Sequence, residues 1–183
     1  MFKIGEYSMR PIEEKDLEQI LVWRNSERVR SVMFTDHIIS MEEHLAWFER
    51  IRRQEIPTHF VFEYENKPIG YISYIDIDKR NLTYSTGTYL GEQTEIPDLA
   101  GIALEYFTAE YAFEKLGMRK SWAYCFAYNK KILKLNKIFG SQQEGYLKKH
   151  VLKDGKYEDL VLMSMFYDDW KIKRQVLQRY LFS

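Results

Sequence analysis

The segment from Trp122 to Gly145 constrains the fold more than any other part of the chain. Trp122 to Tyr128 is rich in aromatic and other β-forming side chains and predicts a strand. Asn129, a preferred helix N-cap, ends that strand, and Lys130 to Phe139 has the spacing of a short amphipathic helix. The return at Glu144-Gly145 leads into the next strand. A strand, a short helix and a strand in this order suit a mixed sheet covered by helices.

The rest of the chain predicts elements that suit the same architecture. Helices are predicted at residues 11–24, 27–33, 40–54, 101–116 and 169–181, and strands at residues 6–10, 59–64, 68–78, 82–90, 146–152 and 157–166. Ser40-Met41-Glu42-Glu43 has the form of a capping box, and the helix that it opens is expected to bury Leu45, Phe48 and Ile51. Asp154-Gly155 predicts a hairpin turn. Together these elements predict an α/β (α+β) fold. Its single mixed, mostly antiparallel central sheet carries helices on both faces, within one domain spanning residues 1–183.

Composition and charge exclude several classes of partner. Lysine and arginine together number 27, as do aspartate and glutamate, so the formal net charge of zero predicts no nucleic-acid or membrane partner. Cys125 is the only cysteine, which rules out a disulfide within the chain and suits a reducing cytoplasm. The spacing of the four histidines matches no zinc motif, so no metal is expected. No signal peptide or membrane-spanning apolar run is visible, and a cytoplasmic location is predicted.

The junction between Leu90 and Ala103 is a candidate phosphate site. A helix is predicted to begin near Ala100-Gly101, after a loop. Backbone N–H groups at a helix N-terminus can reach a phosphate, and Gly101 and Ala103 leave room for that approach. An ordinary helix start explains the same residues, and both interpretations stay open at this point.

Basic and aromatic residues come together in three N-terminal segments: Trp23-Arg24-Asn25, Met33 to His37, and Glu43 to Phe48. An arginine binds a diphosphate through two parallel hydrogen bonds, and an aromatic face can stack on a uracil ring or an apolar sugar face. This set therefore fits an acceptor that carries phosphate and rings. The alternative is a pair of helices that covers the sheet, with Arg24 in a surface ion pair.

Residues Ala127 to Gly145, which read AYNKKILKLNKIFGSQQEG, resemble one side of the acetyl-CoA slot in the GNAT N-acetyltransferases. The resemblance implies the GNAT fold and an acyltransferase that uses acetyl-CoA as its cosubstrate, without a metal. It also implies that pantetheine lies between two parted strands, one ending at Gly91 and the other at Asn129, with the pyrophosphate over the helix start. The residues implied for CoA binding are Tyr89, Leu90, Gly91, Leu99, Ala100, Gly101, Ile102, Ala103, Asn129, Ile132 and Asn136.

The same resemblance implies catalytic roles. Asn136 falls where the family usually has the tyrosine that protonates the departing CoA thiolate, and an amide can still hydrogen-bond the sulfur. Asn136 and Tyr128 are therefore the candidates for this step. Backbone N–H groups near Tyr89 to Gly91 would polarise the thioester carbonyl. The candidate bases for the attacking amine are His44, Glu92 and Tyr84.

A closer resemblance concerns the acceptor side. The WRN tripeptide, a Met-aromatic-Thr segment and the S-x-E-E-H-L-x-W-F run are similar to the GNAT branch of pseudaminic acid biosynthesis. That branch acetylates the 4-amino group of a UDP-linked amino-dideoxy sugar by direct attack in a ternary complex. The residues implied for the acceptor are Trp23, Arg24, Asn25, Met33 and His44.

Other activities stay open beside the aminosugar. The closing region from Glu144 to Asp159 is also similar to ribosomal-protein and polyamine acetyltransferases. A non-catalytic, CoA-binding GNAT-like module is a third interpretation. The expected partner is a small-molecule amine acceptor, in the first interpretation a nucleotide-linked aminosugar. No nucleic-acid or membrane partner is expected, and a homodimer is left open.

Overall fold

The computed structural model describes residues 1–92 and 94–182. The described residues form two compact units, and the chain passes between the units more than once. The first unit comprises Met1–Tyr74 and Gly87–Glu105, and the second comprises Ile75–Thr86 and Tyr106–Ser183.

Within residues 1–92 and 94–182, eight strands and six α-helices confirm the predicted mixed α/β class. The strands are β1 (Phe2–Ile4), β2 (Tyr7–Pro11), β3 (His59–Tyr64), β4 (Lys67–Asp78), β5 (Thr83–Leu90), β6 (Lys120–Phe126), β7 (Gln142–Lys153) and β8 (Lys156–Phe166). The helices are α1 (Leu17–Asn25), α2 (Glu27–Arg30), α3 (Met41–Ile51), α4 (Ala100–Glu110), α5 (Lys130–Ile138) and α6 (Tyr167–Phe182). A 3₁₀ turn (Glu14–Asp16) precedes α1, and a π-helical turn (Tyr111–Lys115) continues α4. Within the described residues, no helix is long and apolar enough to cross a membrane.

The first unit contains a meander in which β1, β2, β3 and β4 follow one another, each antiparallel to its neighbour. The short strand β1 was not predicted, because three residues carry too little periodicity to be recognised. Ile20, Trp23, Val61 and Tyr71 form an apolar cluster where α1 packs on the meander. Burial of this cluster is the main force that holds α1 on the sheet.

Helix α3 begins where its sequence predicts, but only the Ser40 half of the predicted capping box is present among the described hydrogen bonds, because the Glu43 carboxylate lies 3.0 Å from His37 Nε2. The Ser40 hydroxyl accepts a hydrogen bond from the Glu43 N–H at 3.1 Å, which satisfies one of the free donors of the first turn. Phe48 is buried as expected, but Leu45 is 44% exposed and the prediction for it is wrong. His44, which is 4% exposed, lies on the inward face instead. The inward-facing position of this turn of α3 is therefore held by His44, whereas hydrophobic spacing had assigned the inward face to Leu45.

The second unit contains the one parallel strand pair among the described registers. In that pair, β5 runs beside β6, with Thr83 opposite Lys120, whereas β6 and β7 each lie antiparallel to β8. The hairpin of β7 and β8 turns at Asp154-Gly155, and the φ angles of 48° and 77° there confirm the predicted turn. Trp170 of α6 is fully buried at the centre of an aromatic cluster.

Candidate active site

A cavity of about 480 Å³ lies entirely within the first unit. Residues of α1, α3, β4, β5 and the segment between α2 and α3 line it. Its charged and titratable lining residues are Arg24, Glu43, His44, Arg50, Tyr71 and Tyr89. The volume and the mixture of aromatic walls with a few polar groups are typical of a small-molecule site.

Arg24 lines this cavity and carries a buried hydrogen-bond donor that is unused. Its Nη1 atom is buried and has no hydrogen-bond partner among the described residues. Burial lowers the pKa of Arg24, while the nearby Tyr89, Tyr71 and Glu43 partly oppose that shift. An arginine stays charged in proteins, so an unpaired buried guanidinium N–H costs on the order of 1–3 kcal/mol. A ligand oxygen would remove this cost.

His44 is held in one orientation by the backbone. Its Nε2 lies 3.0 Å from the carbonyl oxygen of Leu17, and this nitrogen must carry the proton because a carbonyl only accepts. Burial lowers the pKa of His44, although the bond to Leu17 opposes the shift, so the ring is neutral near pH 7. The ring stacks on Trp47 at 4.9 Å. Nδ1 therefore keeps a lone pair with which it can accept a hydrogen bond.

The floor of the cavity is a set of aromatic rings on the strands. Tyr71 and Tyr89 stack at 5.1 Å, and the Tyr71 hydroxyl oxygen lies 2.5 Å from Nδ1 of His59 in a hydrogen bond. None of these side chains was predicted for the acceptor, and Tyr89 was assigned only to the cofactor. In the sequence, these side chains have the alternating spacing of ordinary strand residues. The available signal was the recurrence of small or polar-tipped residues at every second position, at Tyr71 and Ser73 in β4 and at Gly87 and Tyr89 in β5.

Three of the five residues predicted for the acceptor line the cavity, namely Arg24, Met33 and His44. The other two support its walls. The indole Nε1 of the buried Trp23 donates to Glu92 Oε1 at 2.9 Å, and the Trp23 ring packs so closely on Gly91 that a Cβ there would lie 1.9 Å from it.

Asn25 uses its whole amide group to fix the segment that leads into α3. Its Nδ2 donates to the Ile39 carbonyl and its Oδ1 accepts from the Ile39 N–H, both at 2.9 Å. Ile39 in turn lines the cavity. Asn25 therefore shapes the cavity wall through Ile39.

The end of β5 is already hydrogen-bonded. The N–H of Gly91 donates to the Ile69 carbonyl at 2.8 Å, so it is not free to polarise a thioester as the sequence suggested. Arg28 Nη2 donates to the carbonyls of Leu90 and Gly91 at 2.7 and 2.8 Å. A pantetheine arm that paired with these two carbonyls would have to displace Arg28.

The start of α4 is open at one residue. Ala100 and Ala103 are fully buried, so Ala103 belongs to the core and does not provide the space predicted for it. The N–H groups of Ala100, Ile102 and Ala103 bond to carbonyls of Pro97 and Leu99. Gly101 differs, because a Cβ there would meet only a Leu90 methyl group at 3.8 Å. Among Leu99 to Ala103, Gly101 is the point at which a phosphate could approach the backbone.

In the second unit, the predicted residues around α5 have structural partners. Asn129 caps the helix, since its Oδ1 accepts from the Ile132 N–H at 3.3 Å. Ile132 packs on a cluster that contains Cys125. Asn136 Nδ2 lies 3.6 Å from the Cys125 sulfur, a weak hydrogen bond. Tyr128 is 41% exposed and stacks on a neighbouring phenylalanine of the same strand end.

The three candidate bases differ in whether a ligand in the cavity could reach them. Tyr84 is 2% exposed and lies edge-on to Phe113 in the core of the second unit, which removes it from any solvent-exposed site. Glu92 accepts the Trp23 indole N–H. Of the three, only His44 lines the cavity. The described residues hold no group of three or more His, Cys, Asp or Glu side chains suited to a metal ion.

Comparison with known proteins identifies a family, two curated relatives and several solved structures of the same fold. Residues 8–141 match the acetyltransferase (GNAT) domain family. Two acetyltransferases named PseH, from two strains of Campylobacter jejuni, are 29% and 30% identical to the chain over 137 residues. The matched region covers 74% of this chain and 81% of each relative.

Solved structures share the fold at lower identity. The spermidine N-acetyltransferase of Vibrio cholerae, solved in complex with CoA and spermine, gives a TM-score of 0.83 at 21% identity and covers 91% of this chain and 98% of its own. A GCN5-related N-acetyltransferase of Brucella melitensis gives 0.80 at 19% identity and covers 98% of this chain and 84% of its own. The chain is therefore an acyltransferase that belongs to the GNAT acetyltransferase family.

Proposed function

We propose that this enzyme transfers an acetyl group from acetyl-CoA to the primary amine of a nucleotide-linked amino-dideoxy sugar, most simply the 4-amino group of a UDP-sugar, in the cytoplasm. The observation that carries the proposal is the buried Nη1 of Arg24, which has no partner among the described residues and belongs to a cavity-lining side chain. An anionic oxygen of a diphosphate supplies the acceptor that this donor lacks.

The charge of the cavity supports an anionic acceptor. Arg24 and Arg50 outnumber Glu43, the one carboxylate among the described lining residues. The stacked Tyr71 and Tyr89 offer a flat face for a sugar or a base. His44 Nδ1 can accept a hydrogen bond from a sugar hydroxyl or from the amine itself. The sequence resemblance to the pseudaminic acid branch and the relationship to the two PseH proteins point in the same direction.

Acetyl-CoA is the proposed donor because the family uses it and because the Vibrio cholerae relative was solved with CoA. In the first unit, a Cβ at Gly101 would meet only a Leu90 methyl group, which supports the approach of a diphosphate to that backbone. We assign the pantetheine arm to Tyr89, Leu90 and Gly91, where it would displace Arg28, and the pyrophosphate to the helix start from Leu99 to Ala103, with its approach at Gly101. In the second unit, Asn129, Ile132 and Asn136 are the proposed contacts, and Tyr128 is the second candidate proton donor.

The chemistry is a direct displacement. The neutral amine nitrogen attacks the thioester carbonyl carbon, a C–N bond forms, and the C–S bond breaks. The CoA sulfur leaves as a thiolate and takes up a proton, while the new amide nitrogen loses one. The amide of Asn136 can donate a hydrogen bond to that sulfur, and a thiol with a pKa near 8.5 is a fair leaving group without a strong acid.

Polyamine acetylation is the second candidate, favoured by the fold of the spermidine N-acetyltransferase. A polyamine site needs several carboxylates to bind its ammonium groups. Glu43 alone offers one in this cavity, against two arginines. The charge balance therefore favours the nucleotide sugar.

The proposal is tested by following CoA thiol release with acetyl-CoA and a panel of amines. The panel contains a UDP-linked 4-amino-dideoxy sugar, spermidine and a peptide with a free N-terminus. Turnover with the sugar, and competition by UDP against the sugar, is the expected result. Turnover with spermidine or the peptide alone would replace the proposal. Binding of CoA without turnover of any amine would identify a non-catalytic module.

A further inference from the structure

Two cavities of the first unit are joined by one hydrogen bond. Tyr71 lines the acceptor cavity, and His59 lines a second cavity of about 180 Å³ beside Arg52, Gln54 and Thr58. The Tyr71 hydroxyl and His59 Nδ1 are 2.5 Å apart. No other hydrogen bond in the described structure connects lining residues of the two cavities through titratable side chains.

Both partners of this hydrogen bond are neutral near pH 7. Burial raises the pKa of Tyr71, against an opposing hydrogen bond from Ser73, so the phenol keeps its proton. Burial lowers the pKa of His59 to about 4, so the ring is neutral, and a proton path through the pair requires the tautomer in which Nδ1 accepts from the Tyr71 hydroxyl. The proton of the neutral ring is then on Nε2, which has no hydrogen-bond partner among the described residues.

The surrounding rings hold this pair in place. Trp47 meets His59 edge-on at 5.3 Å, and Tyr71 is stacked on Tyr89 at 5.1 Å. Since packing fixes both rings, a Tyr71 hydroxyl that donates to His59 keeps one oxygen lone pair besides the one used by Ser73, and this lone pair is available to a donor in the acceptor cavity. A Tyr71 oriented in this way accepts a hydrogen bond from an ammonium or amine group.

We infer that Tyr71 and His59 form a proton relay that removes the proton from the acceptor amine and delivers it to water in the second cavity. This inference rests on the proposed function. Tyr71 is the catalytic residue, because it would touch the amine, and His59 is a positioning residue that acts through Tyr71.

The relay conserves protons at every step. An ammonium proton moves to the Tyr71 oxygen, the hydroxyl proton of Tyr71 moves to His59 Nδ1, and the Nε2 proton leaves to water. The neutral amine then attacks the thioester. After the product leaves, water in the acceptor cavity takes the proton from Tyr71, the Nδ1 proton returns to the tyrosine oxygen, and Nε2 is reprotonated from water. The low proton affinity of the buried ring ensures that His59 passes the proton on and does not store it.

The test compares Tyr71→Phe, His59→Gln and the double variant, with acetyl-CoA and the amine that the wild-type enzyme acetylates. Tyr71→Phe keeps the ring stack and removes only the hydroxyl. We expect kcat to fall about 10²-fold in each single variant, with little change in the acceptor KM. The double variant should be no slower than the slower single variant, because both substitutions interrupt one pathway. Tyr64→Phe, in β3 and outside both cavities, is the matched control and should leave kcat unchanged.

Chemical rescue separates a relay from a structural role. In His59→Gly, added imidazole should restore kcat, whereas pyrazole, which has a similar shape but is far less basic, should not. Equal rescue by both compounds, or a Tyr71→Phe enzyme with wild-type kcat, would overturn the relay while leaving the proposed function intact. A wild-type enzyme that acetylates no nucleotide sugar would instead refute the proposed function, and the relay would then be measured with the amine that is acetylated.

Discussion

The acceptor cavity of the first unit and the start of α5 in the second unit use their polar side chains in opposite ways. At α5, the Asn129 side chain caps the helix and the Asn136 amide is bonded to the Cys125 sulfur. In the cavity, Arg24 Nη1 has no partner in the described part of the chain, and His44 keeps a free lone pair on Nδ1. Buried hydrogen-bond donors and acceptors without a protein partner therefore indicate a functional site better than a match to a local sequence motif does.

This difference has an energetic consequence. A buried donor without a partner destabilises the folded state, so the proposed function predicts that Arg24 lowers stability and favours acceptor binding. A helix cap stabilises the folded state and needs no ligand to account for it. Substitutions in the cavity should therefore lower activity without lowering stability. Substitution of the helix cap at α5 should lower stability first.

Arg24→Met should give the largest effect on activity. Methionine fills a similar volume without a donor, so the acceptor KM should rise about 10²-fold as a charge-assisted contact is lost, while the acetyl-CoA Kd stays constant. The free energy of unfolding should stay level or rise by about 1 kcal/mol, because a buried unpaired N–H is removed. Kinetics and urea denaturation measure the two quantities.

The control for this change is Arg53→Met, since Arg53 is exposed and does not line the cavity. It should change neither the acceptor KM nor the stability. A loss of acetyl-CoA affinity in Arg24→Met, with the acceptor KM unaltered, would move Arg24 to the cosubstrate and remove the main support for an anionic acceptor.

The cavity should also make stability depend on pH. The folded pKa of His59 is lowered to about 4 by burial, below the ordinary value of 6.5, so the unfolded chain binds this proton more readily. The stabilising contribution is therefore complete above about pH 6.5 and is lost as pH falls towards 4. The expected loss is on the order of 3 kcal/mol.

Urea denaturation at several pH values measures this loss, with His59→Gln as the comparison. The variant should show a flatter profile across the same pH range. A smaller slope will remain, because burial also lowers the pKa of His44. Parallel profiles for the wild-type protein and the variant would mean that His59 is accessible to protons in the folded state.

Asn129→Ala should cost about 1 kcal/mol of unfolding free energy, since it removes the helix cap. Asn129→Ser keeps a capping oxygen and should restore most of that stability. If Asn129→Ser also restores acetyl-CoA affinity, capping accounts for the whole role of Asn129. If stability returns and affinity does not, the Asn129 side chain also contacts the cosubstrate, and the contrast between the two regions weakens.

Local signals predicted the local structure well. The Ser40 hydroxyl caps α3 and Asp154-Gly155 turns the hairpin, because each depends on a few adjacent residues. The burial of His44 in place of Leu45 was not predictable from hydrophobic spacing, because the Leu17 carbonyl that satisfies His44 lies 27 positions away in the chain.

The cavity shows the same limit. Arg24 and His44 stood out because each lies beside aromatic residues in the sequence, a combination that fits an acceptor carrying phosphate and rings. Tyr71 and His59 did not stand out, because an inward-facing tyrosine in a strand looks the same whether or not it lines a cavity. Only the pairing of β3 with β4 brings the Tyr71 hydroxyl to His59.

Asn136→Ala should give the smallest effect, and it tests the comparison most directly. The bond from Nδ2 to the Cys125 sulfur is long at 3.6 Å, so its loss should cost less than about 0.5 kcal/mol of stability. If the amide also donates to the leaving sulfur, kcat should fall about three- to tenfold at constant acceptor KM. Asn136→Asp has the same shape but presents a negative charge to the developing thiolate, so kcat should fall further than in the alanine variant.

A loss of kcat above about 10²-fold in Asn136→Ala, with stability unchanged, would place the decisive chemistry in the second unit after all. The unused polar groups of the cavity would then account for recognition of the acceptor, and the bond-breaking step would belong to α5.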